Sequence, residues 1–153
     1  MIVDNKSLST IKREGNVVYI RGVFDLLHIG HIAFIEAAKK LGDTLVVGII
    51  SDYVVRRDKG PGRPIRGELE RLRIIDALRN VDYAFIVPVP KHEKTSTEIV
   101  FQSLKPDIFV HYHESDEVAS FFKQIANQYG VQFILDNSDK LDSTSSTIQK
   151  VRK

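Results

Sequence analysis

The chain has 153 residues, 42% of them apolar and 27% charged, with a net charge of +2 and no cysteine. That length suits one domain with a real core and is too short for two, so residues 1–153 are read as one domain with a polar lead-in over 1–15. The charge balance lacks the basic excess of a nucleic-acid binder, the missing cysteines exclude disulfides and a thiolate nucleophile, and nothing approaches the roughly 18 apolar residues that span a bilayer, so neither nucleic acid nor membrane is an expected partner.

In chain order, the lead-in carries Asp4, Lys6, Lys12, Arg13 and Glu14 and could form an extra helix. It has no apolar signal core, which makes the cytoplasm the expected location. Val17-Val-Tyr-Ile20 is β-branched and aromatic and predicts a buried strand, broken by Gly22. An amphipathic helix then runs to about Leu41, with Ile32, Ile35, Ala38 and Leu41 on one stripe. Residues 44–50 are a second apolar strand, and 53–66, rich in glycine, proline and base, read as a loop. Leu69, Leu72, Ile75 and Leu78 recur at helical spacing as far as Asn80. Residues 83–87 are a third strand, 97–104 a helix stopped by Pro106, and 107–111 a fourth strand. A helix over 117–129 with Gly130 as its C-cap precedes a fifth strand over 131–135, and a hydroxyl-rich turn opens a short terminal helix.

Strands that are apolar throughout and alternate with helices predict a parallel sheet covered on both faces, an α/β, Rossmann-like, doubly wound domain. Ligands of such domains bind beyond the carboxyl ends of the strands. Neither Gly-x-Gly-x-x-Gly nor a P-loop is present.

The most informative stretch is Gly22-Val-Phe-Asp-Leu-Leu-His-Ile-Gly-His31. His28 and His31 fall three apart at a predicted helix start, where free backbone N–H groups favour an anion. Two imidazoles there can hydrogen-bond phosphate oxygens and counter charge that develops during phosphoryl or nucleotidyl transfer. A zinc site would need further ligands, and no cluster of them is evident. Arg56, Arg57, Lys59, Arg63 and Arg66 place five cations in eleven residues, either a solvated basic loop or a phosphate clamp with a glycine- and proline-hinged lid. Residues 143–147 are all Ser or Thr and either cap the last helix or bind an anion with its N–H groups. His111 and His113 alternate at a strand end, so they share a face; strand-end polarity, a metal or a substrate pocket would each suit them.

The stretch from Gly22 to His31 resembles the Gly-x-Phe-Asp-x-x-His-x-Gly-His signature of the cytidylyltransferase-like nucleotidyltransferases. Lys59-Gly60, Arg63-Pro64, Glu70-Arg71 and Val81-Asp82 look like the matching stretch of heptose-1-phosphate adenylyltransferases and, less closely, of glycerol-3-phosphate and ethanolamine-phosphate cytidylyltransferases. The resemblance implies a nucleotidyltransferase-type sheet that joins ATP or CTP to a small phosphorylated sugar or alcohol and releases pyrophosphate. Adenylyl transfer to a sugar 1-phosphate leads; cytidylyl transfer to glycerol 3-phosphate is the alternative, and a nucleotide-binding regulatory module that has lost catalysis is the reading from another class.

By the same resemblance, His28, His31 and Lys59 are catalytic, and Gly22, Val23, Phe24, Asp25 and Gly30 bind nucleotide. Ser143, Thr144 and Ser145 bind it too, holding the leaving pyrophosphate. Arg63, Arg71, His111 and His113 are expected to bind substrate, with a solvated helix residue the other reading of Arg71. Two features depart from the family: an upstream arginine is missing near Ser138, and His111-Tyr-His113 stands where Gly-Gly-Asp or Gly-Asp-Asp is usual. Mg²⁺ is expected to arrive on the triphosphate with no protein metal site, and the family implies a homodimer.

Overall fold

The computed structural model describes residues 1–90 and 95–136. Five strands, β1 (Val17–Gly22), β2 (Thr44–Ile49), β3 (Tyr83–Ile86), β4 (Ile108–Tyr112) and β5 (Gln132–Asp136), form one sheet in the order β3-β2-β1-β4-β5. All four pairings are parallel. Helices α1 (Ile29–Lys39), α2 (Asp52–Lys59), α3 (Glu68–Asp76), α4 (Ser96–Leu104) and α5 (Asp116–Gln128) fill the connections. This is the doubly wound, Rossmann-like α/β sheet that the alternating pattern predicts. The chain steps outward from β1 to β3 and then returns past β1 to β4. A crevice therefore opens at the carboxyl ends of β1 and β4, where the strand order reverses.

Both faces of the sheet are packed, which is why its strands are apolar at nearly every position. Tyr19, Val46, Phe85 and Phe109 meet Phe101 of α4 and Ile125 of α5 on one face. Val18, Ile20, Leu45, Val47 and Val110 meet Phe34 and Ile35 of α1 and Leu72 and Ile75 of α3 on the other. The lead-in is tied to this core: residues 7–10 form a 3₁₀ turn, Leu8 is buried, and Ile2 bridges Ala84.

Several details differ from the sequence reading, among them the third helix, which ends at Asp76 rather than Asn80. The first helix ends at Lys39, leaving Leu41 exposed. Leu69 also points to solvent, because the buried stripe of α3 is Arg71, Leu72 and Ile75. The largest correction is the stretch read as a loop over 53–66: its first half is α2, whose N-cap Ser51 accepts the Val54 amide and whose Val55 is buried in the core. Only after Gly60, at φ +90°, does the chain run as a connection. The hydroxyl-rich turn and the terminal helix lie outside the described residues. No described helix is long and apolar enough to cross a membrane.

Candidate active site

The turn leaving β1 is built around residues that cannot relax independently. Phe24 and Leu26 both adopt left-handed backbone, at φ 52° and 49°. Such a conformation costs a residue with a side chain about 1 kcal/mol or more and persists where surroundings enforce it. Here the enforcement is visible. Asp25, 1% exposed, accepts the backbone N–H groups of Ile65 at 2.9 Å and Arg66 at 3.0 Å, and Nε of Arg63 at 3.2 Å. The buried Phe24 ring lies so close to Gly22 that a Cβ there would meet it at 2.9 Å. Glycine is thus required at the strand exit, and Phe24 and Asp25 hold the turn with their side chains, leaving its backbone as the part that could face a nucleotide.

Arg71 lies beneath this turn. It is fully buried, and its guanidinium donates to the carbonyls of Val23, Ile50 and Arg66 and to Asp52 Oδ1 at 2.7 Å. One side chain therefore joins the exits of β1 and β2, the start of α2 and the 60–66 connection. Neither sequence expectation describes it: Arg71 is not solvated, and its donors face the scaffold rather than a substrate. It is a positioning residue. Arg63 is likewise latched to Asp25 through Nε, while its terminal nitrogens make no hydrogen bond among the described residues.

Past the turn, His28 is the N-cap of α1 without a side-chain capping bond, and no acidic residue stands in the first turn. The other helices differ: Ser51, Thr95 and Ser115 cap α2, α4 and α5, and Glu70 serves the start of α3. Among the described residues the start of α1 thus keeps its positive dipole end without a capping side chain. The His28 and His31 rings stack over it with centroids 3.7 Å apart, and Phe24 meets the His31 ring edge-on at 5.3 Å. Burial pushes His31 down to about 4, with help from the neighbouring His28 and the Lys59 cation and against the pull of Asp25. At neutral pH His31 is therefore an uncharged imidazole with one N–H to donate, and its Nδ1 is buried without a partner. Lys59, exposed at the end of α2, has no ion pair among the described residues and lies near enough to bias His31.

At the end of β4, His111 and His113 separate in environment. His111 is 5% exposed, packed at 4.4 Å from the Phe122 ring, with both ring nitrogens lacking partners, and burial, Arg21 and His113 together lower it to about 4. A buried polar atom without a hydrogen bond costs about 1–3 kcal/mol, so the ring is not mere filler. His113 lies past the strand, where Nε2 meets Asp116 Oδ1 at 3.0 Å. His113 lies near enough to bias His111, but Asp116 engages its ring. Arg21, which the sequence reading overlooked, sits in β1 beside His111; a charged residue in an otherwise apolar strand was the available signal. Ser143, Thr144 and Ser145 lie outside the described residues. Among the described residues no three His, Cys, Asp or Glu side chains gather as a metal cage.

Comparisons with known proteins agree with this geometry. The chain is 36% identical over 140 residues to the bifunctional protein HldE of Syntrophotalea carbinolica, covering 92% of this chain, and 35% identical over 150 residues to that of Helicobacter pylori. It spans only 28% and 30% of those relatives' lengths. A crystal structure titled as the lipopolysaccharide core biosynthesis protein of Thermoplasma volcanium superposes with a TM-score of 0.65 at 33% identity, covering 84% of this chain and all of that one. Pantothenate synthetase from Thermus thermophilus, at 17% identity and a TM-score of 0.66 over 88% of this chain and 60% of that one, shares the fold. The family model for cytidylyltransferase-like proteins matches residues 19–150, and the chain belongs to that family of nucleotidyltransferases.

Proposed function

We propose that this chain transfers the adenylyl group of ATP to the phosphate of a small sugar 1-phosphate, releasing pyrophosphate. The observation that carries the proposal is the stacked His28–His31 pair on the uncapped start of α1, at the point where the strand order reverses. An acceptor phosphate oxygen attacks the α-phosphorus in line; the new P–O bond forms as the bond to the bridging oxygen breaks, and pyrophosphate departs. No protein nucleophile takes part, so the chain contributes positioning and electrostatic stabilisation.

His28 and His31 donate N–H groups to the α-phosphate oxygens as negative charge grows there. Lys59 supplies a mobile cation for the same oxygens. The backbone of Gly22, Val23, Phe24, Asp25 and Gly30 cradles the nucleotide, and Ser143, Thr144 and Ser145 hold the pyrophosphate. Arg63 closes on substrate through its terminal nitrogens. Mg²⁺, carried by the triphosphate rather than by protein side chains, would supply charge neutralisation there. That division suits the donor set: the Asp25 oxygens already accept two amides and Arg63, and Mg²⁺ prefers phosphate and water oxygens to an all-protein cage.

A sugar acceptor is supported by the resemblance of the stretch from Lys59 to Asp82 and by likeness to a lipopolysaccharide core biosynthesis protein, since lipopolysaccharide is a sugar-bearing glycolipid. The activity belongs in the cytoplasm, where ATP is available. A homodimer fits the exposed apolar side chains Tyr53, Ile65 and Leu69, and sedimentation velocity measures it directly.

The deciding experiment is pyrophosphate release from ATP and from CTP, each with heptose 1-phosphate, glucose 1-phosphate and glycerol 3-phosphate. Turnover with ATP and a sugar 1-phosphate is the expected result. Turnover confined to CTP and glycerol 3-phosphate would replace this reading, and nucleotide binding without pyrophosphate from any pair would reduce the chain to a binding module.

A further inference from the structure

Two polar residues in the sheet lie outside the nucleotide grip proposed above. Arg21 and His111 directly follow Ile20 and Val110, the last registered pair between β1 and β4, so they are cross-strand neighbours on one face. That face carries Tyr19 and Phe109 and packs under α4 and α5, whereas α1 packs on the opposite face. Arg21 reaches the first turn of α4, where Nη1 donates to Ser96 Oγ at 3.2 Å and Thr97 Oγ1 at 2.7 Å. Its Cζ lies 5.5 Å from the centroid of Phe122, the same ring that lies against His111.

Among the described residues no carboxylate lies within 4 Å of the Arg21 guanidinium. The nearby acids are engaged: Glu98 accepts the Thr95 N–H, and Asp116 faces His113. Beside this cation stands an imidazole, 5% exposed, with neither nitrogen hydrogen-bonded. Among the described residues, a cation without a counter-ion and a buried ring with its donor and acceptor unused, at the mouth of the crevice, are together short of an anion.

We propose that Arg21 and His111 form the subsite that takes the phosphate monoester of the accepting substrate, on the sheet face opposite α1, and present it to the α-phosphate held by His28 and His31. This rests on the nucleotidyl-transfer reading. Arg21 has Nε and Nη2 left for a forked pair of bonds to phosphate oxygens, and His111 donates one N–H. A dianion would also offset the Arg21 charge that helps keep His111 deprotonated. Monoester-like phosphate could equally be the nucleotide's own terminal group, so a test must separate the two sources.

The full chain is titrated with inorganic phosphate while the histidine ring signals are followed by ¹H–¹³C NMR, alone and with saturating α,β-methylene-ATP. The His111 signals should shift with phosphate in both conditions. Arg21→Met should weaken phosphate binding about tenfold or more, the scale of one charge-assisted bond, with Arg21→Lys restoring part of it. In both variants the analogue should still shift His28 and His31. His111→Asn, with a spectrum otherwise intact and phosphate followed by its own ³¹P signal, should weaken phosphate severalfold and covers the case that Arg21→Met unfolds. The proposal is overturned if phosphate leaves His111 unmoved, if the analogue abolishes the shift, or if a folded variant binds phosphate as the parent does. An analogue that leaves His28 and His31 unmoved would instead overturn the nucleotidyl reading, and the acceptor role with it.

Discussion

A guanidinium with no solvent contact is stable only when its donors are met, and Arg71 meets three carbonyls and one carboxylate. Removing it leaves Asp52 Oδ1 and the carbonyls of Val23 and Ile50 without its donors. Arg71→Met should therefore destabilise by about 3 kcal/mol or more, lowering Tm by roughly 10 °C for a domain of this size. Arg71→Lys should recover little, because an ammonium cannot span that fork. A thermal melt checks both, and a variant within a degree or two of the parent would show that the clamp is dispensable. Nothing in the sequence marks this role: a single arginine between Glu70 and Leu72 carries no sign of burial, which depends on three other segments arriving around it. The histidines contrast with it, since their spacing and the helix pattern after them are local. His28→Ala and His31→Ala should each lower kcat by ~10²-fold or more, the loss expected for a preorganised donor. Lys59→Ala should raise KM for ATP and lower kcat. Parent-like kinetics in any of these would remove that residue from the reaction.

Among the elements, the five strands were legible because a parallel sheet buried on both faces demands unbroken apolar runs, and residues 17–20 and 44–50 supply them. The helix α2 was not, because its sequence Asp-Tyr-Val-Val-Arg-Arg-Asp-Lys buries only Val55 and runs into Gly60, so periodicity had almost nothing to register. Its stability comes from Ser51 at the N-cap and from Asp52, which Arg71 holds. The helix α1 shows the reverse economy, a good helix deliberately lacking a cap. Ile29, 60% exposed in its first turn, allows a test of that idea. Ile29→Glu should stabilise the free protein by about 0.3–1 kcal/mol through the helix dipole. The same charge should weaken ATP about tenfold, equivalent to 1.4 kcal/mol, by occupying the field the triphosphate needs. Gain in Tm without loss of ATP affinity would mean that the α1 start does not receive the phosphates.

The whole molecule should carry a pH signature from its two suppressed histidines. His31 and His111 are each held down to about 4 chiefly by burial, against about 6.5 in an unfolded chain. Between those values the unfolded state binds more protons than the folded one, so stability rises with pH across that window. The contribution is present in full above about 6.5 and is lost as pH falls through 6 toward 4. The urea midpoint should accordingly stay level from pH 7 to 8 and decline steadily below 6.5, before the carboxylates titrate. His111→Asn should remove part of that slope, since its amide does not titrate. Saturating ATP should shallow the slope further, because a triphosphate beside His31 favours the imidazolium and raises its pKa in the bound state, so binding takes up a proton near pH 5 to 6. Calorimetry in two buffers of different ionisation enthalpy measures that uptake. A urea midpoint flat from pH 7 to 4.5, with no proton linked to ATP, would show both rings solvated in the folded chain.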